Sequence, residues 1–144
     1  HNTLTKLLEL NTIPVINEND SVANEEFYIG ENDSLAALIS ANIDADLVIL
    51  LSDIDGLFTA DPHKDKNATL IKEVKEITPE VMALAGGAGS SLGTGGMATK
   101  LRAAQIALDA GIDMVISNGT NPEILYDIVD GKEVGTRFIA GGKK

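Results

Sequence analysis

The stretch Gly86-Gly87-Ala88-Gly89-Ser90-Ser91-Leu92-Gly93-Thr94-Gly95-Gly96-Met97-Ala98-Thr99-Lys100 concentrates the chain's capacity for chemistry. Six glycines and three hydroxyl residues stand ahead of an amphipathic run that opens at Met97. Glycine lacks a Cβ, so the backbone can curl and bring N–H groups against an anion. A helix beginning there adds free N–H groups and the positive end of its dipole. Lys100 falls in the first turn, where its ammonium can act as a point charge on a phosphate. The spacing fits neither a Walker A loop nor a GxGxxG dinucleotide fingerprint. The alternative is a plain linker closed by a helix cap, with Lys100 a solvated lysine.

Two further clusters pair carboxamides with carboxylates. Asn17-Glu18-Asn19-Asp20 is followed by Gly30-Glu31-Asn32-Asp33. Carboxylates accept from an ammonium group, and Asn amides both donate and accept. Together they could hold a zwitterionic amino acid. Asx-turn and capping chemistry explains the same residues without a ligand. Ser52 and Asp53 follow an apolar run and open a polar stretch through Asp61 and Pro62. There they could face a nucleotide, or simply make turns.

Composition narrows the partners. Net charge is −11, which disfavours binding to a nucleic-acid backbone. Aromatics are 3% of the chain, too few for base stacking. Acidic balance suits a small ligand carried with Mg²⁺. With no cysteine, disulfides, thiol catalysis and thiolate zinc sites are excluded. The longest apolar run, Leu47 to Leu51, is far too short to span a bilayer. A chain of 144 residues is enough for one aliphatic core.

The elements that must hold these clusters alternate between helix and buried strand. Helices are expected over 3–10, 34–42 with Asp33 as N-cap, 78–85 with Thr78 as cap and Pro79 at N1, 97–110 ended by Gly111, and 121–129. Strands are expected over 13–16, 26–29, 47–51, 70–74, 112–117 and 137–140. Leu47–Leu51 and Ile112–Ser117 are nearly all apolar, the pattern of strands inside a sheet covered on both faces. The whole predicts a layered α/β/α domain with a mainly parallel central sheet. Ligands in such sheets bind beyond the carboxyl ends of the strands. Asn17–Asp20, Ser52–Asp55 and Ser117–Thr120 each follow a strand.

In order and spacing, five motifs resemble the amino acid kinase family. They are Asn17-Glu18-Asn19-Asp20, Gly30-Glu31-Asn32-Asp33, Asp55-Gly56-Leu57-Phe58-Thr59-Ala60-Asp61-Pro62, Gly93-to-Lys100 and Val134-Gly135-Thr136. The third is common to several branches of the family. The first and fourth together resemble the branch that phosphorylates the γ-carboxylate of L-glutamate. The resemblance covers essentially the whole chain and implies an ATP-dependent kinase using Mg²⁺, cytoplasmic and homo-oligomeric, serving proline synthesis. By position it implies that Asn17 and Asp20 hold glutamate, helped by Glu31 and Asn32. Asp33 would organise catalytic lysines, and Ser52 and Asp53 would contact the nucleotide. Thr94, Gly95, Gly96, Met97, Ala98, Thr99 and Lys100 would cover the ATP phosphates, with Lys100 neutralising the transferring group. No residue is assigned to a metal. Glu31 stands where the family commonly has Asp, and Ser52 where it commonly has Thr.

The resemblance places the family's amino-terminal strand, first glycine-rich loop and that loop's lysine ahead of His1. The PUA module of many members has no counterpart here. Residues 1–144 are thus expected to be the carboxyl-side part of one kinase domain, incomplete for catalysis alone. Two other readings stay open: a fragment that binds nucleotide or amino acid without chemistry, and a related kinase acting on another acid or on UMP.

Overall fold

A computed structural model describes residues 2–18, 31–86 and 96–141. The expected strand over 26–29, and Asp20, Thr94 and Gly95, lie outside the described residues. The elements are α1 (Asn2–Glu9), α2 (Asn32–Asn42), β1 (Leu47–Ser52), β2 (Glu73–Val74), α3 (Pro79–Ala83), α4 (Met97–Asp109), β3 (Asp113–Asn118), α5 (Ile124–Val129) and β4 (Thr136–Phe138). The four strands form one mixed sheet in the order β1-β3-β4-β2. β1 runs parallel to β3, β2 parallel to β4, and β3 antiparallel to β4. Two of three pairings are therefore parallel, within an α/β layered architecture.

Local chemistry explains where the helices begin and end. Thr78 Oγ1 accepts from Val81 N at 3.2 Å and Pro79 occupies N1, as expected for α3. Gly111 closes α4 with φ +76°, which suits a residue without a Cβ. The start of α2 differs from expectation. Its N-cap is Glu31, not Asp33. Glu31 Oε1 accepts from Ser34 N at 3.3 Å and from the Ser34 hydroxyl. The helix starts two residues earlier than expected, and the Glu31 carboxylate caps the N–H of its third residue, Ser34. That leaves Asp33 inside the first turn with its carboxylate directed elsewhere.

The sheet also corrects three strand expectations. β3 is interior, flanked by β1 and β4. Met114 and Ile116 are buried on one face and Val115 and Ser117 on the other. Leu47–Leu51, by contrast, lies at the sheet edge among the described strands. Val48 and Leu50 join the core, whereas Leu51 is 42% exposed. Apolar runs report covering of faces and are silent about strand neighbours. Ile13–Ile16 forms no strand and pairs with none among the described residues, and Ile13 and Val15 are 87% and 95% exposed. Its composition suits a strand, but pairing needs a partner edge. The strand expected over 70–74 is reduced to β2, with Leu70 bridged to Phe58.

α2 packs on β1, α4 packs on β3, and α2 and α4 pack on each other. Ala37, Leu101, Ala103, Ala104 and Ala107 are fully buried, with Val48, Leu50, Met114, Ile116 and Phe138 in the same cluster. Small alanines let the helices approach closely. Each helix precedes its strand by a short link, so each runs back along the strand that follows it. A 13-residue helix and a six-residue strand both span about 20 Å. The first turns of α2 and α4 therefore share one end of the domain with the carboxyl ends of β1 and β3.

Thr136 ties this frame together. Its hydroxyl accepts from Leu57 N at 2.9 Å and donates to the Ile71 carbonyl at 2.6 Å, with no exposure to solvent. Thr136→Val keeps the shape and removes both bonds. At about 1–3 kcal/mol for each buried group left without a partner, a loss of roughly 2–4 kcal/mol is expected in chemical denaturation. A loss below about 0.5 kcal/mol, the size of a neutral surface change, would contradict this role.

Candidate active site

Two helix starts meet at Asp33, Thr99 and Lys100. Asp33 lies in the first turn of α2, Thr99 and Lys100 in that of α4. Lys100 Nζ donates to Asp33 Oδ2 at 3.1 Å, and Thr99 Oγ1 lies 2.8 Å from the same oxygen. Lys100 is only 7% exposed and Thr99 8%. A lysine near a helix amino terminus opposes the dipole, so burial there needs a compensating anion. Asp33 supplies it and favours its own helix dipole as well. This geometry excludes the solvated-lysine alternative.

The polar clusters join this corner from the side. Glu18 N donates to Asn32 Oδ1 at 2.9 Å, which fastens the segment after Ile16 to the start of α2. Asn17, Glu18, Glu31, Asn32 and Asp33 thus gather around one helix end. Asn17 is exposed, whereas the Glu31 carboxylate is engaged in the helix cap.

At the strand ends, Ser52 Oγ donates to Asp53 Oδ1 at 3.2 Å. Gly119 N donates to the Ser52 carbonyl at 2.8 Å. Asn118 Nδ2 donates to Asp55 Oδ1 at 3.2 Å, and Asn118 Oδ1 accepts from Thr120 N at 2.9 Å. A Cβ on Gly119 would stand 2.8 Å from Leu51 Cβ, so only glycine permits this approach. Asn118 and Gly119 lock the loop carrying Ser52 and Asp53 to the next strand. The Ser117–Thr120 position after an apolar strand signalled this cluster. The bond to Asp55, 63 residues away, had no local signal.

Chemically, the corner offers a buried cation fixed by a carboxylate beside two helix starts, an arrangement suited to phosphoryl oxygens. The groove along α5 is lined by Pro122, Leu125, Tyr126 and Val129 and has only Glu123 and Asp130 as charges. It offers a phosphate no cation. Among the described residues, no three His, Asp or Glu side chains gather to hold a metal ion. No helix among them is long and apolar enough to cross a membrane.

Comparison with known proteins identifies the family. Residues 1–118 match the model of the amino acid kinase family. The chain is 53% identical over 142 residues to a protein named glutamate 5-kinase from Clostridium acetobutylicum, covering 99% of this chain and 53% of that protein. It is 50% identical over 143 residues to the glutamate 5-kinase of Clostridium perfringens, covering 96% and 53%. The chain spans about half the length of these curated relatives. Among solved structures, an isopentenyl phosphate kinase superposes with TM-score 0.69 at 24% identity, over 94% of this chain and 49% of that one. UMP kinase from Ureaplasma parvum gives 0.65 at 18%, over 96% and 52%. These two share the fold.

Proposed function

The chain belongs to the amino acid kinase family, and from that premise we propose that it carries the phosphoryl-transfer corner of an ATP-dependent kinase for the γ-carboxylate of L-glutamate. The observation that carries this reading is the buried Lys100–Asp33 pair at the meeting of two helix starts. Identity of 50–53% to proteins named glutamate 5-kinase supports glutamate as the acceptor.

In this reading a γ-carboxylate oxygen attacks the γ-phosphorus of ATP. The bond to the β,γ-bridging oxygen breaks, and ADP leaves with that electron pair. The product is glutamyl 5-phosphate, an acyl phosphate, and the step opens proline synthesis. Such reactions depend on positioning and on stabilising charge over the phosphoryl oxygens. Lys100 faces those oxygens and Asp33 holds its ammonium in place. By the family resemblance, Thr94, Gly95, Gly96, Met97 and Ala98 would cover the ATP phosphates. Ser52 and Asp53, on the loop locked by Asn118, contact the nucleotide. Asn17, Asp20 and Asn32 hold glutamate, and Glu31 supports them as the cap of α2. With no three-ligand cage among the described residues, Mg²⁺ would arrive on the nucleotide and neutralise phosphate charge, consistent with its preference for phosphate oxygens and water. The reading includes a cytoplasmic, homo-oligomeric enzyme.

An acceptor panel tests the substrate. The chain, extended to the full length of its relatives, is supplied with ATP and glutamate, aspartate, N-acetylglutamate or UMP. Glutamate is expected to give the highest kcat/KM, and preference for another acceptor would sink the assignment. Within the same assay, Asp20→Ala is expected to raise the glutamate KM roughly 10- to 100-fold. A charged hydrogen bond to the substrate ammonium is worth roughly 1.5–3 kcal/mol. The ATP KM should move far less. Equal shifts in both would remove Asp20 from the amino acid site.

A further inference from the structure

Thr99 sits inside the motif that resembles a phosphate loop, yet its donors meet partners within the protein. Its hydroxyl lies 2.8 Å from Asp33 Oδ2 and 2.8 Å from the Gly96 carbonyl. Both partners are acceptors, and the hydroxyl has one proton. The Gly96 carbonyl already accepts from Thr99 N at 3.2 Å. A carboxylate is the stronger acceptor, so the hydroxyl proton belongs to Asp33. Both donors of Thr99, backbone and side chain, are then engaged within the protein. The Lys100 ammonium meets the same Oδ2 atom at 3.1 Å.

We propose that Thr99 is a positioning residue that acts through Asp33 and is not a ligand of the nucleotide phosphates. Its hydroxyl fixes the rotation of the Asp33 carboxylate and presents Oδ2 to Lys100. The place of the ammonium relative to the transferring group follows from that rotation. Without the hydroxyl, the carboxylate can turn and the ammonium loses its fixed anchor. This inference rests on the kinase reading above.

The test uses the chain extended to the length of its relatives. Thr99→Val is expected to lower kcat at least about tenfold, with the ATP KM and the ATP Kd from calorimetry within about twofold. Thr99→Ser is expected to recover kcat to within about threefold of wild type, since it restores the donor. On an Asp33→Asn background, Thr99→Val should cost less than about twofold more, because the two residues act as one unit. Should Thr99→Val fail to melt cooperatively, Thr99→Ala carries the same expectations. A rise of about tenfold in ATP KM and Kd with kcat held would overturn the proposal and make Thr99 a phosphate ligand. Full additivity with Asp33→Asn, or a Thr99→Val kcat within about twofold of wild type, would overturn it too. Wild-type turnover with another acceptor but not glutamate would overturn the glutamate reading instead. The same comparison would then be made on that acceptor.

Discussion

Lys100→Ala, in the chain extended to the full length of its relatives, lowers kcat on the order of 10²-fold or more, with a smaller change in ATP KM. The expectation follows from where the ammonium sits. It is buried, paired with Asp33 at 3.1 Å, and held at the first turn of α4, where a positive charge is intrinsically unfavourable. A cation kept at such a place acts best on charge that develops in the transition state. Lys100→Arg should rescue poorly, since a planar fork does not fit the space of a compact ammonium. Removing one member of a buried pair also destabilises, so thermal melts must accompany the kinetics. Lys100→Met keeps the packed stem and isolates the charge. A cooperatively folded Lys100→Met with kcat within about twofold of wild type would remove Lys100 from the catalytic set.

Gly135→Ala is expected to destabilise the domain by about 2–5 kcal/mol, through left-handed backbone strain and a steric collision together. Gly135 has φ +61°, and a Cβ there would run into the Ile116 carbonyl oxygen. That carbonyl belongs to the central strand β3, which has little freedom to retreat. Gly131 provides the control. It has φ +80°, but nothing lies within 4 Å of its Cβ position. Gly131→Ala should therefore cost only the backbone term, about 1–2 kcal/mol. Equal losses in the two variants, measured by chemical denaturation, would refute the collision.

The contrast between these glycines marks how far the sequence could be read. Gly111 as a helix stop and Thr78–Pro79 as a helix start are local chemistry, and both were legible. So was the lysine in the first turn of α4. Val134-Gly135-Thr136 stood out as a motif, but its work is tertiary. Gly135 clears β3, and Thr136 binds Leu57 and Ile71, each at least 65 residues away. No window of sequence contains those partners. The start of α2 failed for a subtler reason. Glu31 and Asp33 are both acids near the helix start, and the shorter is the commoner cap. The longer one takes that role here, which leaves Asp33 for Lys100. β1 was legible as a strand and not as an edge, because its residues specify its faces alone. Likewise Ile13–Ile16 has the composition of a strand, while pairing depends on an edge elsewhere in the fold.

Trapping the product with hydroxylamine tests the central claim most directly. An acyl phosphate transfers its acyl group to hydroxylamine, whereas ATP does not. The extended chain, with ATP, Mg²⁺ and L-glutamate, is expected to form γ-glutamyl hydroxamate in step with ADP, and Lys100→Met should form it at least about 10²-fold more slowly. Release of ADP without hydroxamate, or hydroxamate formation at an unchanged rate in Lys100→Met, would contradict the assignment of this corner as the site of glutamate phosphorylation.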